Sequence, residues 1–145
     1  MKKEFKMNRL TVIILTICSL AIGQTTDLFL SEYAEGSEGS NKYIEIYNGT
    51  GSDIDLSNYQ VWGSNNGSDW KVERQHSLSG TLVNGDVYVI AADAASQAIL
   101  DEADLALAYE SAVHYNGDDA VGLAKDNGTG TFELISAKVY AADTT

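Results

Sequence analysis

The segment NKYIEIYNGTG (residues 41–51) alternates apolar side chains with polar or aromatic ones and then reaches an Asn-Gly turn. An alternation of period two predicts a β-strand that buries one face and exposes the other to solvent. This strand therefore decides where the core lies. We expect its core face to carry Ile44 and Ile46 and its outer face to carry Tyr43, Glu45 and Tyr47.

Short β-type segments recur along the rest of the chain, separated by Gly, Asn, Asp and Ser residues. The chain contains no proline, so no strand is interrupted by a residue that lacks a backbone N–H donor. The pattern predicts strands over residues 28–33, 42–47, 59–63, 70–77, 87–91, 120–125 and 131–140.

Asn-Gly pairs mark the predicted turns, because this dipeptide tolerates the positive φ that tight hairpin turns require. One segment differs: residues 94–102 are rich in helix formers and follow Asp93, a suitable N-cap residue. We predict a short helix or helical turn there that crosses between two sheets. The Asn-Gly pairs begin at Asn48, Asn66, Asn84, Asn116 and Asn127.

The number and spacing of these strands predict the fold class. At 145 residues the chain has room for one ordinary domain. Short strands at this spacing are typical of two packed antiparallel sheets. The predicted fold is therefore all-β, an immunoglobulin-like antiparallel β-sandwich with one short helical crossover. The Cys-Trp-Cys arrangement of antibody domains is absent, so only the architecture is predicted to be shared.

The first 23 residues carry the pattern of an export signal. Four basic residues precede an apolar run over residues 10–22, and the last three residues form a small-x-small cleavage site. The run is shorter than the roughly 20 residues that span a bilayer, which disfavours a membrane anchor. A lipid anchor at Cys18 is disfavoured by the bulky Ile17 before it. We predict a signal peptide at 1–23, a domain at 24–145 and a secreted protein.

The predicted mature chain is strongly acidic and lacks cysteine. Removing the four basic residues and the one glutamate of the signal leaves five basic and twenty acidic side chains, a formal charge of −15. Such a charge repels phosphate backbones and anionic lipids, so autonomous binding to nucleic acid or to a membrane surface is disfavoured. The one cysteine of the sequence lies in the signal, which excludes disulfides and thiol chemistry from the mature domain.

Two imidazoles, those of His76 and His114, are the available catalytic bases or metal ligands. Neither has a histidine or cysteine partner at the spacing of a zinc site. The chain has no Gly-x-Ser-x-Gly element, and its glycine turns lack the lysine of a phosphate loop. We therefore expect both histidines to lie on sheet faces or in turns, and we predict no catalytic residue, no metal ligand and no cofactor.

Acidic and amide side chains in three turns are candidate calcium ligands, because calcium takes hard oxygen ligands on loops. The same side chains can instead accept hydrogen bonds from their own turn backbone, and we favour this interpretation. The spacing of an EF-hand loop is absent, and a general acid/base pair is the least favoured use. The candidates are Asp53, Asp55, Asp118, Asp119, Asp126 and Asn127.

Trp62 and Trp70 flank the turn-forming residues 63–69. Exposed aromatic rings on facing strands would stack against a sugar ring or a protein partner. A tryptophan in a small sandwich belongs more often to the core. The sequence favours the core interpretation and leaves a recognition surface as the alternative.

Three blocks of sequence, in order, carry a family resemblance. They are DLFLSEYAEGSEGSNKYIEIYNGTGSDIDLSNYQV (27–61), LVNGDVYVIA (82–91) and YNGDDAVGLAKDNGT (115–129). The first is the most specific, because a strand ending in Ser-Glu-Tyr leads through a small-residue loop to Tyr-Ile-Glu-Ile-Tyr-Asn. Together they resemble the lamin tail domain family in its secreted bacterial branch. After Ile135, SAKVYAADTT replaces the glycine-rich closing segment usual in that family.

The resemblance implies an immunoglobulin-like sandwich that family members use as a non-catalytic module, including as an accessory part of exported enzymes. We accordingly predict a secreted, non-catalytic interaction or adhesion module whose partner is an unidentified protein or polysaccharide. One alternative is the N-terminal accessory domain of a truncated secreted hydrolase of the nuclease type. Another is a calcium-stabilised carbohydrate-binding module.

Overall fold

The structure, a computed structural model, describes residues 24–36 and 39–138. Within these residues the chain forms ten strands and one short α-helix, α1 (Gln97–Leu100). The strands are β1 (Phe29–Glu35), β2 (Lys42–Tyr47), β3 (Ile54–Asp55), β4 (Tyr59–Ser64), β5 (Gln75–Ser77), β6 (Thr81–Leu82), β7 (Val87–Ala92), β8 (Leu105–Leu107), β9 (Ala120–Asp126) and β10 (Phe132–Lys138).

Two four-stranded sheets pack against each other and confirm the predicted β-sandwich. The first sheet has the order β1-β2-β7-β8, the second has the order β10-β9-β4-β5, and β3 pairs with β6 in a small ribbon. No helix in the described ranges has the length and apolar character needed to cross a membrane. The predicted signal peptide and its Cys18 lie outside the described residues.

The core lies between the inward faces of the two sheets. Ile44 and Ile46 of β2 are fully buried, as the alternation predicted, and Ile44 is the register partner of Ile90 on β7. From the second sheet, Val61 and Leu123 are paired across β4 and β9 and belong to the same buried cluster. Burying such an aliphatic side chain contributes about 1.5–3 kcal/mol, so the alternation of these strands is a main source of stability.

Five of the predicted strands form with their ends shifted by no more than two residues, β2 has the predicted bounds, and a sixth strand, β10, begins one residue after its predicted start. The end of the predicted strand 131–140 lies beyond residue 138, outside the described residues. The three short strands β3, β6 and β8 were not predicted. Each has only two or three residues, too few for an alternation to be visible, and each is defined by its pairing with a distant segment.

The predicted strand 70–77 is wrong in its first half, where Val72–Arg74 forms a 3-10 helix. Only Gln75–Ser77 pairs with β4. The cause is a tertiary contact: Arg74 is 5% exposed, and its guanidinium donates hydrogen bonds to the carbonyl oxygens of Ser111 and His114. Turning the backbone at this point brings the cation inward to satisfy those two oxygens, which a continuous strand would not do.

The predicted helix over 94–102 is shorter than expected, and its predicted N-cap is wrong. Ser96 takes the N-cap position in place of Asp93, because a backbone turn from Ala95 to Ala92 precedes the helix. The helix also does not cross between the sheets. It joins β7 to β8 within the first sheet, and these two strands pair in parallel, the exception to the antiparallel pairing of the other strands.

The Asn-Gly pairs take two different roles. Gly67, Gly85 and Gly128 have φ of 67°, 86° and 88°, as the turn prediction required. The pairs at residues 48–49 and 116–117 have no such glycine, and Asn48 is instead fully buried. Its amide nitrogen donates to the carbonyl oxygens of Ser52 and Leu82, at 2.9 and 2.8 Å, so it links two loops.

A buried lysine and a buried tyrosine attach the long loop before β9 to the first sheet. The Tyr115 hydroxyl oxygen lies 2.6 Å from the carbonyl oxygen of Ala34 and 2.7 Å from that of Tyr43. Lys42 Nζ donates to the carbonyl oxygen of Tyr115, to Asn116 Oδ1 at 2.8 Å and to Glu35 at 3.3 Å. A desolvated ammonium group that has several acceptors is retained without the penalty of an unpaired buried charge.

An ionic cluster holds the first described residues against the second sheet. Asp27 accepts hydrogen bonds from Tyr59 Oη and Lys125 Nζ, each at 2.6 Å. Burial raises the pKa of Asp27, but the hydrogen bonds from Lys125, Tyr59 and the Leu28 backbone outweigh it, so the pKa is below its usual range. The Asp27 hydrogen bond correspondingly raises the pKa of Lys125, against the effect of burial.

Truncation of a core residue on β2 tests the sandwich packing. Ile44→Ala is expected to lower the free energy of unfolding by about 3 kcal/mol, because the rigid neighbours leave a cavity. A urea titration followed by circular dichroism measures this. The matched control is Glu45→Ala on the outer face of the same strand, with an expected loss below about 1 kcal/mol. Equal losses in the two variants would show that β2 does not bury one face.

The Asp27 cluster predicts a specific pH dependence. Because the folded-state pKa is depressed, the contribution of Asp27 to stability is present above the unfolded-state value near 3.8 and is lost as the pH falls through the lower folded-state value. Asp27→Asn is therefore expected to be less stable than the wild type at neutral pH, with the difference shrinking in acid. Urea midpoints across this range measure it. A difference that is the same at neutral and acid pH would contradict the cluster.

Candidate binding surface

The two histidines singled out in the sequence occupy separate structural positions. His76 on β5 is the register partner of Val61, and its buried Nε2 has no hydrogen-bond partner within the described residues. His114 lies in the loop before β9. Burial lowers the pKa of both; for His114, Asp93 opposes this effect while Arg74 and Lys42 add to it. In the described part of the chain, no group of three or more His, Cys, Asp and Glu is placed to hold a metal ion.

His114 has a serine partner that the sequence reasoning missed. Ser111 Oγ lies 2.8 Å from His114 Nδ1, the distance expected of a nucleophile and its base. However, Ser111 is only 1% exposed, and the His114 backbone N–H donates to the Ser111 carbonyl oxygen at 3.1 Å. A buried hydroxyl cannot reach a substrate. The side-chain and backbone hydrogen bonds between Ser111 and His114 instead close a turn. The Ser-x-x-His spacing is the signal that would have predicted this local bond.

Most of the turn carboxylates considered as calcium ligands accept hydrogen bonds from backbone N–H groups. Asp119 accepts from Asn66 and Asn116 through its two oxygens, at 2.8 and 2.9 Å. Asp126 Oδ1 accepts from Gly128 and Gly130. The turn interpretation is therefore confirmed at these positions. The same holds for Asp55 with Ser57 and Asn127 with Thr129. Asp53 accepts instead from the backbone N–H of Asn84 in a different loop, and Asp118 has no such bond among the described residues.

The outer face of the first sheet is acidic. A groove of about 510 Å³ opens on it between the sheet surface and α1. Tyr43 and Glu45 face outward as predicted, and the Tyr43 hydroxyl donates to Glu32 at 2.7 Å, which raises the pKa of Tyr43. The carboxylates lining the groove are those of Glu32, Glu45, Asp86, Glu102 and Asp104. This concentration of charge favours solubility and repels anions.

The outer face of the second sheet has the opposite character. The register places Gln60, Trp62, Gln75, Gly122, Ala124 and Leu134 on it. None of these six side chains is charged, although the chain as a whole is strongly acidic, and the carboxylate that the same register adds is that of Asp126 at the end of β9. We call the surface formed by Gln60, Trp62, Trp70, Gln75, Gly122 and Leu134 the tryptophan face.

Both tryptophans belong to this surface, so the core interpretation favoured by the sequence is wrong. Trp62 and Trp70 are half-buried, and their ring centroids lie 6.2 Å apart with a tilt of 54°. Trp62 is opposite Gly122 in the register, and a Cβ built on Gly122 would lie 3.1 Å from the ring of Trp70. The missing side chain at position 122 gives Trp70 room to lie on the sheet surface.

Comparison with known proteins gives a family for the chain. The family model described as Lamin Tail Domain matches residues 23–137. This range includes all the strands except the last residue of β10, and therefore both outer faces. No curated protein matches the chain.

Proposed function

The chain belongs to the lamin tail domain family, and from this premise we propose that it is a secreted, non-catalytic module that binds a partner through the tryptophan face. The lamin tail domain is a non-enzymatic immunoglobulin-like domain. A rigid sandwich with a chemically distinct outer surface suits recognition, because little conformational entropy is lost when the partner is bound.

The tryptophan face is the single observation that carries this proposal. Aromatic residues are enriched at interfaces, where they contribute most of the binding free energy. Here two indole rings are adjacent and partly exposed, and the other side chains that define the tryptophan face are uncharged. A strongly acidic chain could cover this surface with carboxylates to stay dissolved, as it does on the first sheet. Neutral side chains in that position favour a binding role.

The positions of the polar groups support a non-catalytic role. Ser111 is buried, and His76 has no hydrogen-bonded acid or nucleophile beside it within the described residues. The carboxylates of Asp119 and Asp126 are occupied by backbone N–H donors. These bonds also weaken the case for calcium stabilisation, because a cation would have to compete for the same oxygens.

Secretion is the second part of the proposal. The basic start, apolar run and small-x-small end of residues 1–23 favour export and cleavage before Gln24. The acidic surface and the lack of cysteine after residue 23 are compatible with an extracellular site where packing alone stabilises the fold. A role as accessory domain of an exported hydrolase is compatible with the same binding face.

Expression of the full chain with a C-terminal tag tests both parts. We expect the tagged protein outside the cytoplasm, with an N-terminal sequence beginning at Gln24. We also expect it to bind the cell envelope of the bacterium that produces it. The Trp62→Ala, Trp70→Ala double variant should lose this binding, because both rings of the tryptophan face are removed.

The matched control is Tyr47→Ala, which removes a half-buried aromatic ring from the outer face of the first sheet. Its envelope binding should equal that of the wild type. Retention of an uncleaved chain in the cytoplasm would contradict secretion. Envelope binding that is absent, or is unchanged in the double variant, would contradict a binding role for the tryptophan face.

A further inference from the structure

We propose that the ligand of the tryptophan face is a neutral polysaccharide, whose sugar rings stack on Trp62 and Trp70. This inference rests on the proposed binding function and names the chemical class of the partner. A sugar ring has an apolar C–H face and a rim of hydroxyl groups. Its binding site therefore needs an aromatic ring plane with hydrogen-bonding side chains beside it, and it needs no charged group.

The orientation of Trp62 is fixed before any ligand arrives. Its indole N–H donates to Gln60 Oε1 at 2.8 Å, so the polar atom of the ring already has a partner. The remaining exposed part of the ring is apolar. The ring of Trp70 lies beside it at a tilt of 54°, so the two indoles form an open angle on the surface. Rings held in this way lose little rotamer freedom on binding.

An apolar surface continues from these rings toward β10. A Cβ built on Gly122 would lie 2.5 Å from Leu134 Cδ2, so the glycine allows Leu134 to cover the position next to Trp70. Leu134 is 39% exposed. The result is an apolar strip across β4, β9 and β10.

Side-chain amides border this strip. Gln75 is the register partner of Trp62 on β5, and its amide has no protein hydrogen bond within the described ranges. Gln60 Nε2 donates to Ser77 Oγ at 3.3 Å and has a second hydrogen to offer. Amides both donate and accept, as sugar hydroxyls do. The amides thus match the hydroxyl groups of a sugar ring, and the indole rings match its apolar C–H face.

Charge and shape favour a polysaccharide over a protein partner. The tryptophan face offers no cation to an anionic ligand, and the acidic chain would repel one. Protein interfaces depend on anchor side chains that fill pockets. Two grooves among the described residues lie elsewhere, on the outer face of the first sheet and between β1 and β10. Two adjacent, partly exposed indole rings suit ring stacking.

Affinity electrophoresis tests the ligand class. The full chain is run in native gels that contain hydroxyethylcellulose or dextran, with the anionic polysaccharide alginate as the charge control. We expect retardation in at least one of the neutral gels and none in alginate. Trp62→Ala and Trp70→Ala should each raise the dissociation constant about tenfold, the loss expected for one aromatic contact. The Tyr47→Ala variant should migrate as the wild type does.

Folding is checked separately in every variant by its urea midpoint. If a tryptophan-to-alanine variant unfolds, two other variants replace it. Trp62→Phe keeps an aromatic ring at position 62, and Gln75→Ala removes an amide from the outer face of the second sheet. We expect Trp62→Phe to retain part of the retardation and Gln75→Ala to weaken it. Equal retardation of all folded variants, or no retardation in either neutral gel, would overturn the inference.

Chemical treatment of the envelope separates this inference from the proposed function. Periodate cleaves the vicinal diols of sugars, and a protease removes proteins. Binding that is lost after periodate and survives protease supports a polysaccharide ligand. Binding that is lost after protease and survives periodate identifies a protein partner, which overturns this inference and leaves the proposed function standing. Absence of binding to the untreated envelope would count against both.

Discussion

The contact between the inward faces of the two sheets is the constraint on which the rest of the structure depends. Ile44 and Ile46 from β2 meet Val61 and Leu123 from the second sheet in one buried cluster. The described domain has no cysteine to crosslink it, so this apolar contact must supply stability that disulfides give some other small domains. Because side chains alternate with period two, burying these four residues also determines which side chains face solvent on both sheets.

The two outer faces that result have different chemistry. On the first sheet, carboxylates and tyrosine hydroxyls bond to one another, as in the pair of Glu32 and Tyr43. On the second, indoles and amides form the uncharged tryptophan face, with Gly122 making room for Trp70. An acidic face keeps copies of the chain apart through repulsion, while a neutral face allows close approach of an uncharged ligand. One layer is thus rich in charge and the other has few charged side chains, and both are attached to one shared core.

Alternation made the central strands and the core predictable, whereas features created by distant contacts were not. The bounds of β2 and the burial of Ile44 followed from neighbouring residues alone. The 3-10 helix before β5 depends on Arg74 reaching carbonyl oxygens nearly forty residues away, and no local pattern contains that information. The surface position of Trp62 could have been predicted from the sequence. Its neighbour Val61 is a core residue, and adjacent residues of a strand face opposite sides. The prediction failed because it relied on the general preference of tryptophan for cores.

The position of the two tryptophans gives the second sheet its own optical reporter. Both indoles lie on that sheet's outer face, whereas tyrosines occur on both sheets, for example Tyr43 on β2 and Tyr59 on β4. Indole emission therefore reports the surroundings of one layer, and far-UV circular dichroism reports the strands of both. For a domain held together by a single shared core, cooperative melting requires both signals to change together. A difference between the melting midpoints of the two signals would reveal a state in which one layer has unfolded while the other remains ordered.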